Sequence, residues 1–400
     1  ITIFIKNQIK KIFTFTFSII LIPIIIIFRL ISPFCLIKIG YINSEHLGHL
    51  VYETAYFSIK QSIEKERIYR IFYFRNHDKI PNKYWIKFAK RYIFANRLFY
   101  FLYLSNLIIP GSKKHIINQQ KNNRDLKGLL QKYKNFDFND QEDISAKKFL
   151  ELIGIKDNQK FICLNIRDSY YNDNYKKWNK SSWDYHSYRN SNINNFIEVI
   201  KKLNDLNYWV IRVGKGSEKM IELGSNSKYF DYANSTYQSD FLDIWLMANC
   251  FFSINSSRNG LDEVSRAFHV PTVGLNAIPI HNIDTYEHSI EVPKELYWKS
   301  NQKKLTLSEY LKHDYGMTQE FINAGITYKE LQSEDMIDCI LEMESRLTGK
   351  WLENEHDTDL QNQFFSIFKK FDNYDLKHNI INPNYRIGTK YLKKNREWLI

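Results

Sequence analysis

Four hundred residues suit two or three domains, and 44% hydrophobic content is enough for well-formed cores. A formal charge of +12 and a pI near 9.2 suit an anionic partner: a membrane surface, a nucleotide or a nucleic acid. Cys35, Cys163, Cys250 and Cys339 are far apart and form no C-x-x-C pair, which speaks against a zinc site or disulfide framework and for a reducing compartment.

The chain opens on an apolar segment, residues 1–34. Lys6, Lys10 and Lys11 precede an uncharged run from Ile12 to Phe28, and Arg29 follows it. The run is slightly short of the ~20 residues a spanning helix wants, and Pro23 interrupts it. No small-residue cleavage pattern follows, so a removed signal peptide is disfavoured. A span, a kinked helix embedded from one face and a buried helix remain. The preferred expectation is a monotopic anchor at the cytoplasmic face of the inner membrane, with a single span as the main alternative.

Residues 35–145 read as a first α/β domain. Leu36–Tyr41 suggests a strand, a turn containing Gly48 and His49 follows, and Leu50–Ile63 has helical periodicity. Arg70–Arg75 is the next strand. Lys83–Leu104 reads as one amphipathic helix, basic and aromatic, that suits a membrane interface or a solvated face equally. Lys113–Ser145 is expected to connect domains, with a short helix at Leu126–Tyr133.

From Ala146 to residue 348 strands and helices alternate regularly. Helix Ala146–Leu152 leads to strand Phe161–Ile166, which ends in Arg167-Asp168. A polar loop reaches Asp184–Asn190, then come helix Asn195–Leu206 and strand Tyr208–Val213, ending at Gly214-Lys215-Gly216. Strand Tyr229–Tyr232 and helix Asp240–Asn249 precede a βαβ unit, Phe251–Ile280, whose loop is Asn255-Ser256-Ser257-Arg258-Asn259-Gly260. Such alternation means a parallel, doubly wound sheet. Ser308 is expected to cap a helix, and Glu330–Leu347 forms another. Residues 349–400 form a helical tail, in which Gln361–Phe371 suits a helix returning to the first domain.

In a parallel sheet all strand carboxyl ends share one edge, so Arg167 with Asp168, Arg212 with Lys215, and Ser256, Ser257 and Asn259 converge there. Arginines, a lysine and a capped helix N-terminus suit a diphosphate. Ser256 and Ser257 are the expected N-cap. Arg212 has the alternative of bonding an internal carboxylate such as Asp231.

The segments N-I-R-D-S-Y-Y (165–171), D-Y-H-S-Y-R-N-S-N-I-N-N-F (184–196), Y-W-V-I-R-V-G-K (208–215), D-F-L-D-I-W-L-M-A-N-C-F-F (240–252) and the 251–280 stretch together resemble a bacterial family of glycosyltransferases from surface-polysaccharide loci. The likeness extends to I-K-I-G-Y and L-G-H-L near the N-terminus. It implies an α/β, GT-B-like fold: two Rossmann-like domains with parallel sheets facing across a cleft, plus the N-terminal hydrophobic anchor. The strand-ending R-D is also similar to the H-x-R-x-x-D signature of fucosyltransferase-like enzymes, with Asn165 and Tyr170 in place of its histidine and final acid.

The resemblance implies transfer of a sugar from a nucleotide-diphosphate donor to a glycan- or lipid-linked hydroxyl in lipopolysaccharide or capsule assembly. Donor residues are then Arg167, Arg212, Lys215, Ser256, Ser257, Asn259, Gly260 and Glu263, and acceptor residues Gly48, Tyr188 and Arg189. His49 and Asp168 are the expected catalytic residues, with Glu53 a further candidate base. His49 equally reads as a structural imidazole, and Glu263 as a partner of the helix dipole. No D-x-D follows a buried strand, so neither a catalytic metal nor a cofactor is expected. The competing reading is a non-catalytic, membrane-associated nucleotide- or glycan-binding scaffold with the same fold. Nucleic-acid binding lacks any RRM, KH or helix-turn-helix signature.

Overall fold

The computed structural model describes residues 2–64, 67–75, 80–119, 128–134, 136–170, 184–217, 223–224, 226–280, 286, 288–370 and 385–400. The expected polar loop at 171–183, with Tyr171 of the first motif, lies outside these, as do Leu126 and Lys127 of the expected short helix. The chain divides into two compact units, Ile1–Asp125 and Leu126–Ile400.

In the first unit α1 (Thr2–Ile20) and α2 (Ile22–Leu30) meet at a bend of 40°. Pro23 stands in the first turn of α2, where its missing N–H is tolerated. Strand β1 (Leu36–Asn43) pairs in parallel with β2 (Ile68–Arg75), and α3 (Leu47–Ile63) makes the crossover. The β-branched and aromatic run of β2 is buried, and α3 covers it with Tyr52, Tyr56, Phe57 and Ile59. Helix α3 begins at Leu47, so Gly48 and His49 stand in its first turn rather than in a loop.

The expected single helix at Lys83–Leu104 is instead α4 (Lys83–Ala89), β3 (Phe94–Ala95) and α5 (Phe99–Ile108). Two local signals divide it. Phe94 and Ala95 pair in parallel with Ile71 and Phe72, and Asn96 Oδ1 accepts the Leu98 N–H at 2.9 Å to start a new helix. Asn82 caps α4, and the buried Trp85 donates its indole N–H to Thr54 Oγ1 at 2.9 Å.

The second unit starts with α6 (Leu129–Lys132) and α7 (Asp140–Leu152). Helix α7 begins six residues before the expected Ala146, because Asn139 and Glu142 form a reciprocal capping box. Its sheet contains, among the described residues, seven parallel strands in the order β12-β9-β8-β7-β4-β5-β6. They are β4 (Phe161–Ile166), β5 (Trp209–Arg212), β6 (Tyr229–Asp231), β7 (Ser253–Ser256), β8 (Thr272–Ala277), β9 (Ser289–Pro293) and β12 (Arg386–Ile387). The central strand β4 is buried along its whole length, as its unbroken apolar run Phe161–Leu164 requires. Helices α8 (Ile197–Asp205), α9 (Asp240–Asn249) and α10 (Asp262–Ala267) link the strands. An antiparallel pair, β10 (Glu295–Trp298) with β11 (Ile326–Lys329), follows β9.

Helix α11 (Leu307–Lys312) is capped by Thr306 in a box with Glu309, so Ser308 lies inside the helix. Beyond α12 (Thr318–Asn323) and α13 (Ser333–Leu347), α14 (Glu355–Phe368) puts Leu360, Phe364, Ile367 and Phe368 into the second unit's own core. The tail joins the fold as edge strand β12 and α15 (Thr389–Lys394). Both units are parallel α/β structures.

Candidate functional site

Strand order places β4 between β5 and β7, so the loops after Ile166, Arg212 and Ser256 are neighbours at the carboxyl edge. Asn165 and Asn255 are register partners there, and Asn165 Nδ2 donates to Asn255 Oδ1 at 3.0 Å, Asn259 Oδ1 at 2.7 Å and Asp262 Oδ1 at 3.1 Å. Asp262 Oδ2 accepts the Asn259 N–H at 3.0 Å, and Asn259 Oδ1 the Leu261 N–H at 3.0 Å. This buried polar network sets the shape of the turn after β7. Helix α10 has six residues and Leu261 as N-cap, so Ser256 and Ser257 are not its cap.

The serines do something else. Ser256 Oγ accepts the Arg167 N–H at 2.8 Å and locks the end of β4 to the end of β7. Ser257 donates to the Ile278 carbonyl at 3.2 Å and accepts from Arg189 Nε at 3.4 Å. Its φ of +42° is a sparsely populated conformation for a residue with a Cβ, costing on the order of 1 kcal/mol.

Arg189 comes from the segment Asp184–Arg189, which returns beside β4 through the Ser191 N–H to the Arg167 carbonyl at 2.9 Å. One of its amino groups donates to the Arg258 carbonyl. Arg167 and Arg189 are thereby neighbours. Burial, and then repulsion by Arg189, pushes the Arg167 guanidinium down to about 9. Burial lowers Arg189 too. Neither makes an ion pair with a carboxylate among the described residues, and Arg167 Nε is buried with no hydrogen-bond partner there. Asp262 attracts both, while its oxygens are engaged by Asn165 and Asn259. His186 is pushed down to about 4 by burial and the two arginines, so it is neutral at pH 7.

Lys294, between β9 and β10, is buried and donates to the carbonyls of Tyr188 at 3.1 Å and Asn190 at 2.7 Å, bracketing Arg189. Burial brings its ammonium down to about 8.

The remaining expected donor groups are engaged internally. Arg212 is buried between Asp168 Oδ2 at 3.6 Å and Asp231 Oδ2 at 3.5 Å. Asp231 is its register partner on β6. Asp168 also accepts the Tyr170 N–H at 3.1 Å. Lys215 sits between Gly214 and Gly216, whose φ values of 136° and 62° make the tight turn, and it pairs with Asp240 and, at 3.9 Å, Asp243. Glu263 is buried against Arg266 at 2.7 Å, and Arg258 pairs with Glu291 at 3.0 Å. Gly260 lies in the turn before α10.

Tyr188 is a correction. It is fully buried, its hydroxyl donates to the Gly316 carbonyl at 3.0 Å and its N–H to Thr318 Oγ1, so it does not present a ring to an acceptor. Arg189 sits beside Arg167 in the second unit, and Gly48 belongs to the first.

In the first unit His49 and Glu53 are four residues apart on α3, hence on one face. Burial lowers the His49 imidazole. Glu53 Oε2 accepts the Asn43 N–H at 2.7 Å, which only partly offsets its burial, and the carboxyl is pushed up to about 7. Among the described residues no group of three or more His, Cys, Asp or Glu is placed to hold a metal.

Asn165, Asp262, His186 and Lys294 were not legible as site residues. A polar residue inside the apolar run of β4 was the one signal for Asn165.

No family model matches this sequence, and no curated protein does. Among solved structures the chain is similar to a family 9 glycosyl transferase from Veillonella parvula, with 12% identity over 78% of this chain and 97% of that one, at a TM-score of 0.50. The ADP-heptose lipopolysaccharide heptosyltransferase II of E. coli is 12% identical over 64% of this chain and 90% of that one, at a TM-score of 0.39. The iron-containing dodecameric glycosyltransferase TibC of enterotoxigenic E. coli is 14% identical over 63% and 61%, at 0.32. At these identities the likeness is one of fold, and it rests on the first. The chain has an α/β fold whose parallel sheets match those of GT-B glycosyltransferases.

Proposed function

We propose that the protein is a glycosyltransferase that takes a nucleotide-diphosphate sugar and binds its diphosphate between Arg167 and Arg189. The observation that carries this reading is the half-buried pair itself: two neighbouring guanidiniums, neither in an ion pair among the described residues, at the strand edge where doubly wound sheets bind ligands. A diphosphate relieves their repulsion and takes bidentate bonds from each. The GT-B-type fold supports the choice of a sugar-nucleotide over other diphosphates.

In the transfer the bond from the anomeric carbon to the phosphate oxygen breaks, and its electron pair leaves with the diphosphate. The acceptor hydroxyl oxygen bonds to the anomeric carbon and its proton passes to a base. Held guanidiniums stabilise the charge that grows on the leaving group, without a metal ion or cofactor. Glu53, poised near 7 on the face of α3 that carries His49, is the base this reading favours, and Asp168, tied to Arg212, is not. The acceptor is a glycan- or lipid-linked hydroxyl of a surface polysaccharide, and the enzyme works at the cytoplasmic face of the inner membrane.

Titration calorimetry with UDP, GDP, ADP and CMP tests the site. One nucleoside diphosphate is expected to bind, and Arg167→Ala or Arg189→Ala to weaken it about 10- to 100-fold, the worth of a charge-assisted bond pair. Unchanged binding in both variants removes the reading. Binding without sugar transfer or donor hydrolysis would leave a nucleotide-binding scaffold.

A further inference from the structure

The first unit carries an apolar surface that its own core leaves uncovered. On α1 and α2 the side chains of Phe13, Phe15, Ile20, Ile27 and Leu30 are exposed, Phe15 by 62% and Leu30 by 70%. On α1 the exposed Ile12, Phe15 and Ile19 lie within about 60° of one another, and on α2 Ile27 and Leu30 turn away from the buried Ile25. No charge interrupts the sequence from Ile12 to Phe28.

The opposite side is committed to the fold. Ser105 of α5 donates to the Ser18 carbonyl at 2.6 Å, and Phe17 packs edge-on against Phe101 with centroids 4.7 Å apart. Arg29 donates to Asn106 Oδ1 at 2.6 Å, and Lys114 reaches Ser32 at 3.3 Å. A helix pair crossing a bilayer would have to break these bonds and take Arg29 away from Asn106, its partner on α5. No single helix among the described residues is long and apolar enough to cross a membrane, although the bent pair qualifies by length and composition.

Helix α5 adds exposed apolar side chains: Leu107, turned away from Ser105, and Ile108, one turn on from it. Exposed bases flank it, Arg97 before and Lys113 and Lys114 after. The sequence has no acid from Ile1 to Ser44, and from Lys79 to Arg124 it has ten bases and no acid.

We infer that α1, α2 and α5 together form an in-plane docking surface for an anionic bilayer. The apolar faces enter the acyl boundary, and Arg97 and Lys113 meet the phosphates of the headgroups. This extends the membrane location proposed above and is independent of the donor site. It makes α5, far from the N-terminus in sequence, part of the anchor, and it makes the anchor lie on the membrane rather than span it.

Flotation of the full chain with lipid vesicles tests it. The protein is expected to float with phosphatidylethanolamine–phosphatidylglycerol vesicles and much less with phosphatidylcholine alone. Leu107→Glu/Ile108→Glu is expected to lower the bound fraction at least tenfold with residues 1–34 intact. Arg97→Ala/Lys113→Ala, at exposed positions outside the core, is expected to lower binding to the anionic vesicles about tenfold and to leave the unfolding midpoint unchanged. If both variants float as the parent does, the N-terminal segment anchors alone and the surface is refuted. A chain that ignores vesicles but forms a dimer, which Leu107→Glu/Ile108→Glu dissociates, makes a second copy the occupant and overturns the lipid assignment.

Discussion

Arg167 pays for its position whenever the diphosphate is absent. Its guanidinium is half-buried beside Arg189, and Asp262, which attracts it, already serves Asn165 and Asn259. Removing an uncompensated buried charge commonly stabilises a fold, whereas removing one half of a buried pair destabilises it. The two cases separate experimentally. Arg167→Gln is expected to raise the unfolding midpoint of the ligand-free protein by roughly 2–6 °C, equivalent to about 1–3 kcal/mol, and to abolish the further rise on adding the nucleotide. The depressed value means that burial and Arg189 both work against the charged form, which an arginine keeps across the neutral range, so the burden is present at pH 7. Arg212 is the control. It lies between Asp168 and Asp231, so the same substitution there is expected to lower the midpoint.

At the scale of elements, the segment Asp184–Arg189 is a single 3-10 helix and is held from outside. Thr318 takes the Tyr188 N–H, Gly316 the Tyr188 hydroxyl, and Lys294 both carbonyls around Arg189. Lys294 is therefore a positioning residue. Lys294→Met keeps the length of the chain and loses both donors, and is expected to weaken nucleotide binding about tenfold while Arg167→Gln still removes what remains; equal affinity in Lys294→Met and the parent would refute the role. The same segment shows where sequence reading stops. The α/β alternation was legible because β4 and α9 carry unbroken periodicity between turn residues, and α9 has the expected bounds, Asp240–Asn249. Arg167 was legible because it ends a buried strand. Lys294 was not, since its partners are carbonyls more than 100 residues away and carbonyls carry no side-chain signature. The partner of Lys215 was not legible for a related reason: Asp240 lies 25 residues on across the sheet edge. The strand inside Lys83–Leu104 escaped because two residues hold too little pattern to outweigh helical spacing on either side.

At the scale of the whole molecule, the two kinds of chemistry fall in different units. The guanidinium pair belongs to Leu126–Ile400 and the paired His49 and Glu53 to Ile1–Asp125. The donor site and acceptor base proposed above, being on separate units, are separable by mutation. Glu53→Gln retains an oxygen for the Asn43 N–H at nearly the same volume, and is expected to leave the affinity for the nucleotide unchanged while transfer falls by about 100- to 10,000-fold, the usual worth of a general base. Its pH dependence carries a second signature. Because Glu53 is raised from 4.5 to about 7 in the folded state, the fold holds the proton through that window while the unfolded chain releases it. The cost of the buried carboxylate is thus absent below 4.5 and complete above 7, amounting to up to about 3 kcal/mol. The Gln variant should match the parent in stability near pH 4 and exceed it at pH 8. The rate of the parent should rise with pH through about 7, as the base loses its proton, and that of the variant should not. A variant that is stabilised at pH 8 yet transfers sugar at the parent's rate would show that Glu53 is only buried, and would pass the role to His49.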